Sequence, residues 1–489
     1  MRTHTTILAV LLCHGLLGQD LSQSVVTVTA ATQGFDHYSP WKRGKVNKKL
    51  LTGLVITDDR ILTLSHPLAN HVLTEVCKHG SPRRYPADVI VKDYNNGLAL
   101  LRVRDKRFFA DLQPAVFAPS GPPAGRAVVT KWDRYGTFKR YPAEAFKTSI
   151  GFYGSGAAVL LHHMTTGLDA GGNGEPVFLN GKCIGITSYF NSEEKTIKVH
   201  AIDTIVRMLK DLEDGKYGGS PSFLFGQVFL KSDDNLRDYL GLTTEDTGVL
   251  VRGVYPKMSG HDTLKKNDVI LSIDGHNIDD RGLYNSGVYG KLNFHGIVCL
   301  NHFVGDVLRM QIVRDKKKME ISFPLGRRSS NCYLIPVLDY DSPPDYLILG
   351  GLVFQELTEG YMSIWGSGWH KKANKRLLFL YDTVRLMPTP SRRRIVLLNR
   401  VLPASVNVGY HEKKNMVLLR VDGTSVRDLH QCRDLVASGK GRFVTLDFQG
   451  GDRVVLDRRR MDDSAPGIRK RYNITADSNI EAKGPAEVK

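Results

Sequence analysis

The stretch from Asp169 to Thr187 constrains the fold more than any other. It begins Asp169-Ala170-Gly171-Gly172-Asn173-Gly174-Glu175-Pro176 and continues through Val177-Phe178-Leu179, Asn180-Gly181 and Lys182-Cys183-Ile184-Gly185-Ile186-Thr187. A glycine-rich turn, a proline, and two short apolar runs parted by Asn-Gly specify a loop leading into a tight β-hairpin. Composition agrees, since 47 glycines among 489 residues favour β-structure with many turns. The length suits two to four domains rather than one core.

The net charge of +17 arises from 67 Lys and Arg against 50 Asp and Glu. The basic residues fall in short scattered runs, such as Arg392-Arg393-Arg394 and Arg458-Arg459-Arg460. No nucleic-acid motif accompanies them, so they read as solvated surface charge, and no nucleic acid is expected as a partner. Attraction to anionic lipid or another polyanion is the competing reading. Residues 1–19, with Arg2, the apolar run Ile7 to Leu17 and then Gly18, read as a secretory signal peptide that directs the chain to the secretory pathway. A mitochondrial transit peptide is the alternative. No other apolar run is long enough for a transmembrane segment. Beyond Cys13 the cysteines are Cys77, Cys183, Cys299, Cys332 and Cys432, an odd and widely spaced set. They suggest neither a disulfide framework nor a metal site, and no cofactor is expected. Asn473-Ile474-Thr475 is a glycosylation sequon if the chain is secreted.

Residues 20–50 are polar and aperiodic and read as an N-terminal extension, with the first domain over 51–215. Thr52 to Thr57 and Ile61 to His66 are strand-like runs parted by an Asp-Asp-Arg turn, and Ala87 to Val103 adds further strand. Together with the glycine-rich loop, these runs resemble the trypsin-like domain of the HtrA/Deg serine protease family. The resemblance puts His66 at the general-base position. It puts Gly97 where the orienting Asp belongs and Asn173 where the nucleophilic Ser belongs. No Ser lies between Leu168 and Ile186 in any register. The backbone amides of Gly171 and Asn173 match the family's oxyanion hole, with Glu175 adding a carboxylate beside it. Asp93 lies four residues before Gly97, about 13 Å along a strand and too far to substitute. Ser155, in Gly154-Ser155-Gly156, lacks the following Pro and strand and reads as a flexible turn.

A periodic apolar helix at Ile202 to Leu212 leads to residues 222–326, which resemble an HtrA/Deg PDZ domain. Gly248 to Pro256, Leu264 to Ile278 with its Asp274-Gly275 hairpin, and Gly305 to Asp315 carry the likeness. The family's order selects Leu224-Phe225-Gly226-Gln227 as the loop that captures a peptide carboxylate, in preference to Tyr239-Leu240-Gly241-Leu242. Gly326 to Asp345 reads as a linker. Residues 345–460 read as a diverged second PDZ domain, in which Asp422-Gly423 corresponds to Asp274-Gly275, and residues 461–489 as a polar tail. The order of modules resembles the plant-type Deg proteases. The expected fold class is mainly β, a trypsin-like double β-barrel domain followed by two PDZ-like α+β domains.

An amide at the nucleophile position cannot form an acyl-enzyme. The leading reading is therefore a catalytically inactive homologue that binds peptides or unfolded segments through the first PDZ domain. The resemblance further implies a homo-oligomer, a trimer or a multiple of it. The enzyme-class alternative is a serine endopeptidase of protein quality control with an unconventional site.

Overall fold

The computed structural model describes residues 20–480, apart from 58, 79, 154–156, 222 and 231–232. Expectations placed on residues 1–19, on Ser155 and on 481–489 lie outside the described residues. No helix among those described is long and apolar enough to cross a membrane.

The chain opens with two closed six-stranded barrels. The first comprises β1 (Val25–Thr32), β2 (Asn47–Ile56), β3 (Arg60–Leu64), β4 (His71–Lys78), β5 (Tyr85–Asp93) and β6 (Leu98–Val103), in the order β1-β2-β3-β6-β5-β4. The second comprises β7 (Arg126–Trp132), β8 (Phe138–Tyr153), β9 (Ala157–Thr166), β10 (Pro176–Leu179), β11 (Lys182–Asn191) and β12 (Thr196–Ala201), in the order β10-β11-β12-β9-β8-β7. Closure leaves neither sheet with an exposed edge. Val26, Val28, Leu54, Ile61 and Leu100 fill the first barrel. Helix α1 (Ile202–Asp211) follows, where apolar periodicity places it.

Residues 20–50 are not an extension. β1 pairs along its whole length with β2 and with β4, from Val25↔Leu54 to Thr32↔Asn47 on the β2 side. The run Val25-Val26-Thr27-Val28-Thr29 is β-branched and buried on both faces, so it lacks the alternation that marks a half-exposed strand.

The next sheet holds β13 (Phe225–Phe229), β14 (Val249–Val254), β15 (Val269–Ile273), β19 (Val307–Arg314) and β20 (Lys317–Pro324), with β16 (His276–Asn277) hairpinned onto β15. Helix α2 (Asp234–Leu240), the small hairpin β17 (Leu283–Asn285) and β18 (Lys291–Asn293), and helix α3 (His295–Asn301) complete this module. A last sheet runs β21 (Tyr346–Leu349), β22 (Leu352–Glu356), β23 (Val396–Val401), β24 (Met416–Val421), β26 (Phe443–Phe448) and β27 (Arg453–Asp457), with β25 (Thr424–Ser425) on β24. Helices α4 (Glu359–Met362), α5 (Trp369–Lys372) and α6 (Lys375–Val384) are inserted between β22 and β23; α7 (Leu429–Ser438) and α8 (Arg458–Tyr472) follow. The fold is mainly β.

The Asn-Gly and Asp-Gly pairs form the turns they specify. Asn180-Gly181, Asp274-Gly275 and Asp422-Gly423 all have positive φ at both positions, the type I′ geometry that matches strand twist. Two expectations need correction. The stretch 326–345 is no loose linker, because Leu334 and Ile335 are buried against the last module, and Cys332 and Tyr333 are buried between Leu386 of that module and Met258 of the one before it. Nor is 461–480 a polar tail. Met461, Ile468, Ile474 and Ile480 are buried, and Ile348 donates its amide to the Asp477 carbonyl at 2.7 Å. The basic face of α8 conceals these few apolar anchors in the sequence.

Candidate functional site

His66 opens a single 3₁₀ turn (His66–Leu68) directly after β3, with Pro67 fixing φ at its second position. Its imidazole is boxed by three phenol rings in edge-to-face contact: Tyr94 at 5.4 Å, Tyr153 at 5.1 Å and Tyr340 at 5.2 Å between centroids. Tyr153 also packs on His200 at 4.9 Å. His200 is 0% exposed and neither of its ring nitrogens has a hydrogen-bond partner. Burial lowers the His66 pKa to about 4. Burial, with repulsion from His66 added, lowers that of His200 to about 3. Both rings are therefore neutral at physiological pH. Among the described residues no carboxylate bonds His66. Ser65 Oγ lies 3.5 Å from its Nδ1, which is too long to hold a tautomer, and donates instead to the Asp93 carbonyl at 2.9 Å.

The space for an orienting carboxylate is filled. Gly97 has φ +74°, and a Cβ there would sit 2.8 Å from Tyr153 Cζ. The Tyr153 ring thus occupies the volume that an Asp at this position would need. Asp93 does not take over the role. Its buried carboxylate accepts the amides of Asn95 at 2.8 Å and Asn96 at 3.1 Å, the Asn96 side-chain amide at 2.6 Å, and the Tyr217 hydroxyl.

The glycine-rich loop is organised around Glu175, which is 1% exposed. Its Oε2 accepts the amides of Gly172 at 3.0 Å and Asn173 at 2.9 Å, and also the Thr187 hydroxyl. The converging amide pair is therefore Gly172 and Asn173, not Gly171 and Asn173, and its acceptor is a side chain of the loop itself. Asn173 is exposed, and its carbonyl takes the Thr52 amide at 2.9 Å, which ties the loop to β2. A buried carboxylate needs such donors. Glu175 thus engages both converging amides of the loop.

In the first PDZ-like module, Leu224 to Gln227 lead into and form the first strand of the sheet. Phe225 to Gln227 lie within β13 and pair with β14, Phe225 opposite Val254 and Gly226 opposite Gly253. Phe225 stacks on Phe294 at 5.9 Å, and Leu224 packs beside Met258, Cys332 and Tyr333. Tyr239 is exposed at the end of α2, and Gly241 serves as that helix's left-handed cap. β13 is the terminal strand of its sheet. In the last module the equivalent edge is already paired, because β21 runs antiparallel along β22 from Tyr346↔Gln355 to Leu349↔Leu352.

One further contact reaches the barrel site from a distance in sequence. Tyr340 and Asp341 lie in the stretch that leads into β21, and Tyr340 packs on His66. Asp341 accepts from Tyr94 OH at 2.6 Å and from the Asn70 amide at 2.9 Å, and pairs with Lys92 Nζ at 2.6 Å. Nothing local marks these residues in the sequence, since the partners are more than two hundred positions apart.

Residues 335–480 match the PDZ domain family. Protease Do-like 2, chloroplastic, of Arabidopsis thaliana is 26% identical over 94% of this chain and 76% of its own length. Protease Do-like 4, mitochondrial, of the same plant is 25% identical over 86% of this chain and 77% of its own. The chain is a Deg/HtrA homologue. A solved variant of the HtrA-type protease AlgW with a decapeptide superposes at a TM-score of 0.50 and 16% identity, covering 63% of this chain and 95% of that one. At that identity the likeness is one of fold alone.

Proposed function

We propose that this Deg/HtrA homologue is catalytically inactive and works as a peptide-binding scaffold. The observation that carries the reading is the Glu175 carboxylate seated on the Gly172 and Asn173 amides, in a loop without serine. Acyl transfer needs a nucleophile, a base poised to take its proton, and donors waiting for the oxyanion. Here the aligned nucleophile is an amide, the base is neutral and boxed by tyrosines, and the donors are occupied. The space for an orienting Asp is taken by Tyr153. Loss of such a machine costs about four or more orders of magnitude in rate.

Peptide binding is assigned to the first PDZ module. Its β13 ends a sheet and can accept an added strand, whereas β22 of the second module already has β21 beside it. Assembly as a trimer or a multiple of it, through the barrels, follows from the family likeness. The N-terminal apolar run, together with relatives named for mitochondria and chloroplasts, supports action inside a membrane-bounded compartment.

The test is labelling of the full chain with a fluorophosphonate serine-hydrolase probe, alongside digestion of an unfolded protein substrate. The expected result is no labelling and no digestion. Labelling that the His66→Ala variant abolishes would overturn the reading and restore the endopeptidase alternative.

A further inference from the structure

The segment that covers His66 is held as a ligand is held. Upstream, the amides of Leu334 and Ile335 bond the Arg385 carbonyl at 2.7 and 3.2 Å, and the Glu359 amide bonds the Pro336 carbonyl at 2.9 Å. Downstream, Pro343-Pro344 stiffens the chain before β21. Between these anchors Tyr340 and Asp341 reach across to the first barrel. The Tyr340 ring lies against Tyr94 at 4.7 Å and meets His66 edge-on. Asp341 is gripped by one cation, one hydroxyl and one backbone amide, from Lys92, Tyr94 and Asn70. A neutral aromatic box beside a three-donor carboxylate clamp is chemically specific. It fits an aromatic residue followed by an acidic one and leaves either half unsatisfied with other pairs.

We propose that this cleft is a recognition site for peptides carrying an aromatic–acidic pair, occupied in cis by Tyr340-Asp341 and available to the same motif of a partner protein when the strap lifts. The inference rests on the reading that the cleft does not cut what it holds. The strap joins the second PDZ module to the barrel, so a partner peptide that displaces it also loosens that module.

The experiment uses the full chain and a fluorescein-labelled peptide copying residues 336–345, read by anisotropy. A tethered ligand competes at millimolar effective concentration, so Tyr340→Ala/Asp341→Ala should bind the peptide at least about tenfold more tightly than the wild type. Adding Lys92→Glu to that variant should undo the gain, and peptides with Tyr→Ala or Asp→Asn should compete poorly. Equal binding by wild type and strap variant, or indifference to Lys92→Glu, overturns the proposal. Should the double variant not fold, Asp341→Asn keeps the shape of the strap and decides the matter. Faster hydrogen exchange at the Asn70 amide and a measurable gain in peptide binding are expected, and no change in either sinks the idea. Mass spectrometry of the recovered peptide separates the two readings. Peptide bound and intact supports both. Bound and cleaved peptide overturns the non-catalytic reading alone, and unbound, intact peptide overturns the recognition site alone.

Discussion

Glu175 and Gly97 each hold the candidate site in shape, one by hydrogen bonding and the other by the room it leaves for Tyr153. The Glu175 carboxylate has left water and is satisfied by two amides and a hydroxyl. Glu175→Ala should therefore destabilise the barrels by about 2–3 kcal/mol, because it strands those donors. A urea midpoint unchanged by the substitution would contradict this. Asn173→Ser alone should restore no probe labelling, since the amides stay occupied and His66 stays boxed. At Gly97 the obstacle is steric. Gly97→Ala should cost about 2–4 kcal/mol, from positive φ and the clash with Tyr153. In a Tyr153→Ala background the cost should fall to about 1 kcal/mol, the strain alone. A double-mutant cycle with no coupling would remove Tyr153 from the account.

At the scale of elements, the C-terminal segment tests how far burial outweighs a polar appearance. Ile474 and Ile480 are buried, and the segment supplies the Asp477 carbonyl to β21. A chain ending at residue 472 should lose at least about 3 kcal/mol of local stability around β21. Amide exchange there should quicken on the order of a hundredfold, given about 1.4 kcal/mol per decade; unchanged exchange would mean that the segment merely rests on the surface. The same elements mark what a sequence can reveal. Local chemistry was legible: the Asn-Gly and Asp-Gly hairpins, the amphipathic α1, and the glycine-rich loop with its missing serine. Non-local packing was not. β1 was hidden because burial on both faces erases alternation, and α4 to α6 lie in an insertion whose apolar face is completed by Leu334 and Ile335. The amide pair that Glu175 holds, Gly172 and Asn173, was not legible because Glu175 folds back on its own loop. Tyr153, Tyr340 and Asp341 were invisible as site residues because tertiary structure alone brings them to His66.

For the molecule as a whole, the buried histidines set a pH response whose sign can be worked out. Burial lowers the pKa of His66, His162 and His295 to about 4 and that of His200 to about 3, all from 6.5. Each is neutral when folded and binds a proton once unfolded, so stability is fully present above pH 6.5 and falls as pH drops through the window from 6.5 to about 4 or 3. At pH 5 each histidine costs on the order of 2 kcal/mol, at 1.36 kcal/mol per pH unit. Glu356 pulls the other way. Its burial raises its pKa from 4.5 to about 7, so acidification through that range favours the folded chain by on the order of 3 kcal/mol at pH 5. His66, His162 and His200 belong to the barrels and Glu356 to the last module, so the acid loss falls chiefly on the barrels. Urea midpoints should therefore fall steeply between pH 7 and pH 5. His200→Phe should flatten that slope, because it removes a ring with two unpartnered nitrogens from a fully buried position and leaves a phenyl ring against Tyr153. A flat or rising midpoint on acidification would show that the imidazoles, His66 among them, are hydrated in solution. The tyrosine box would then be open, and the closed cleft on which both the inactive reading and the strap depend would be lost with it.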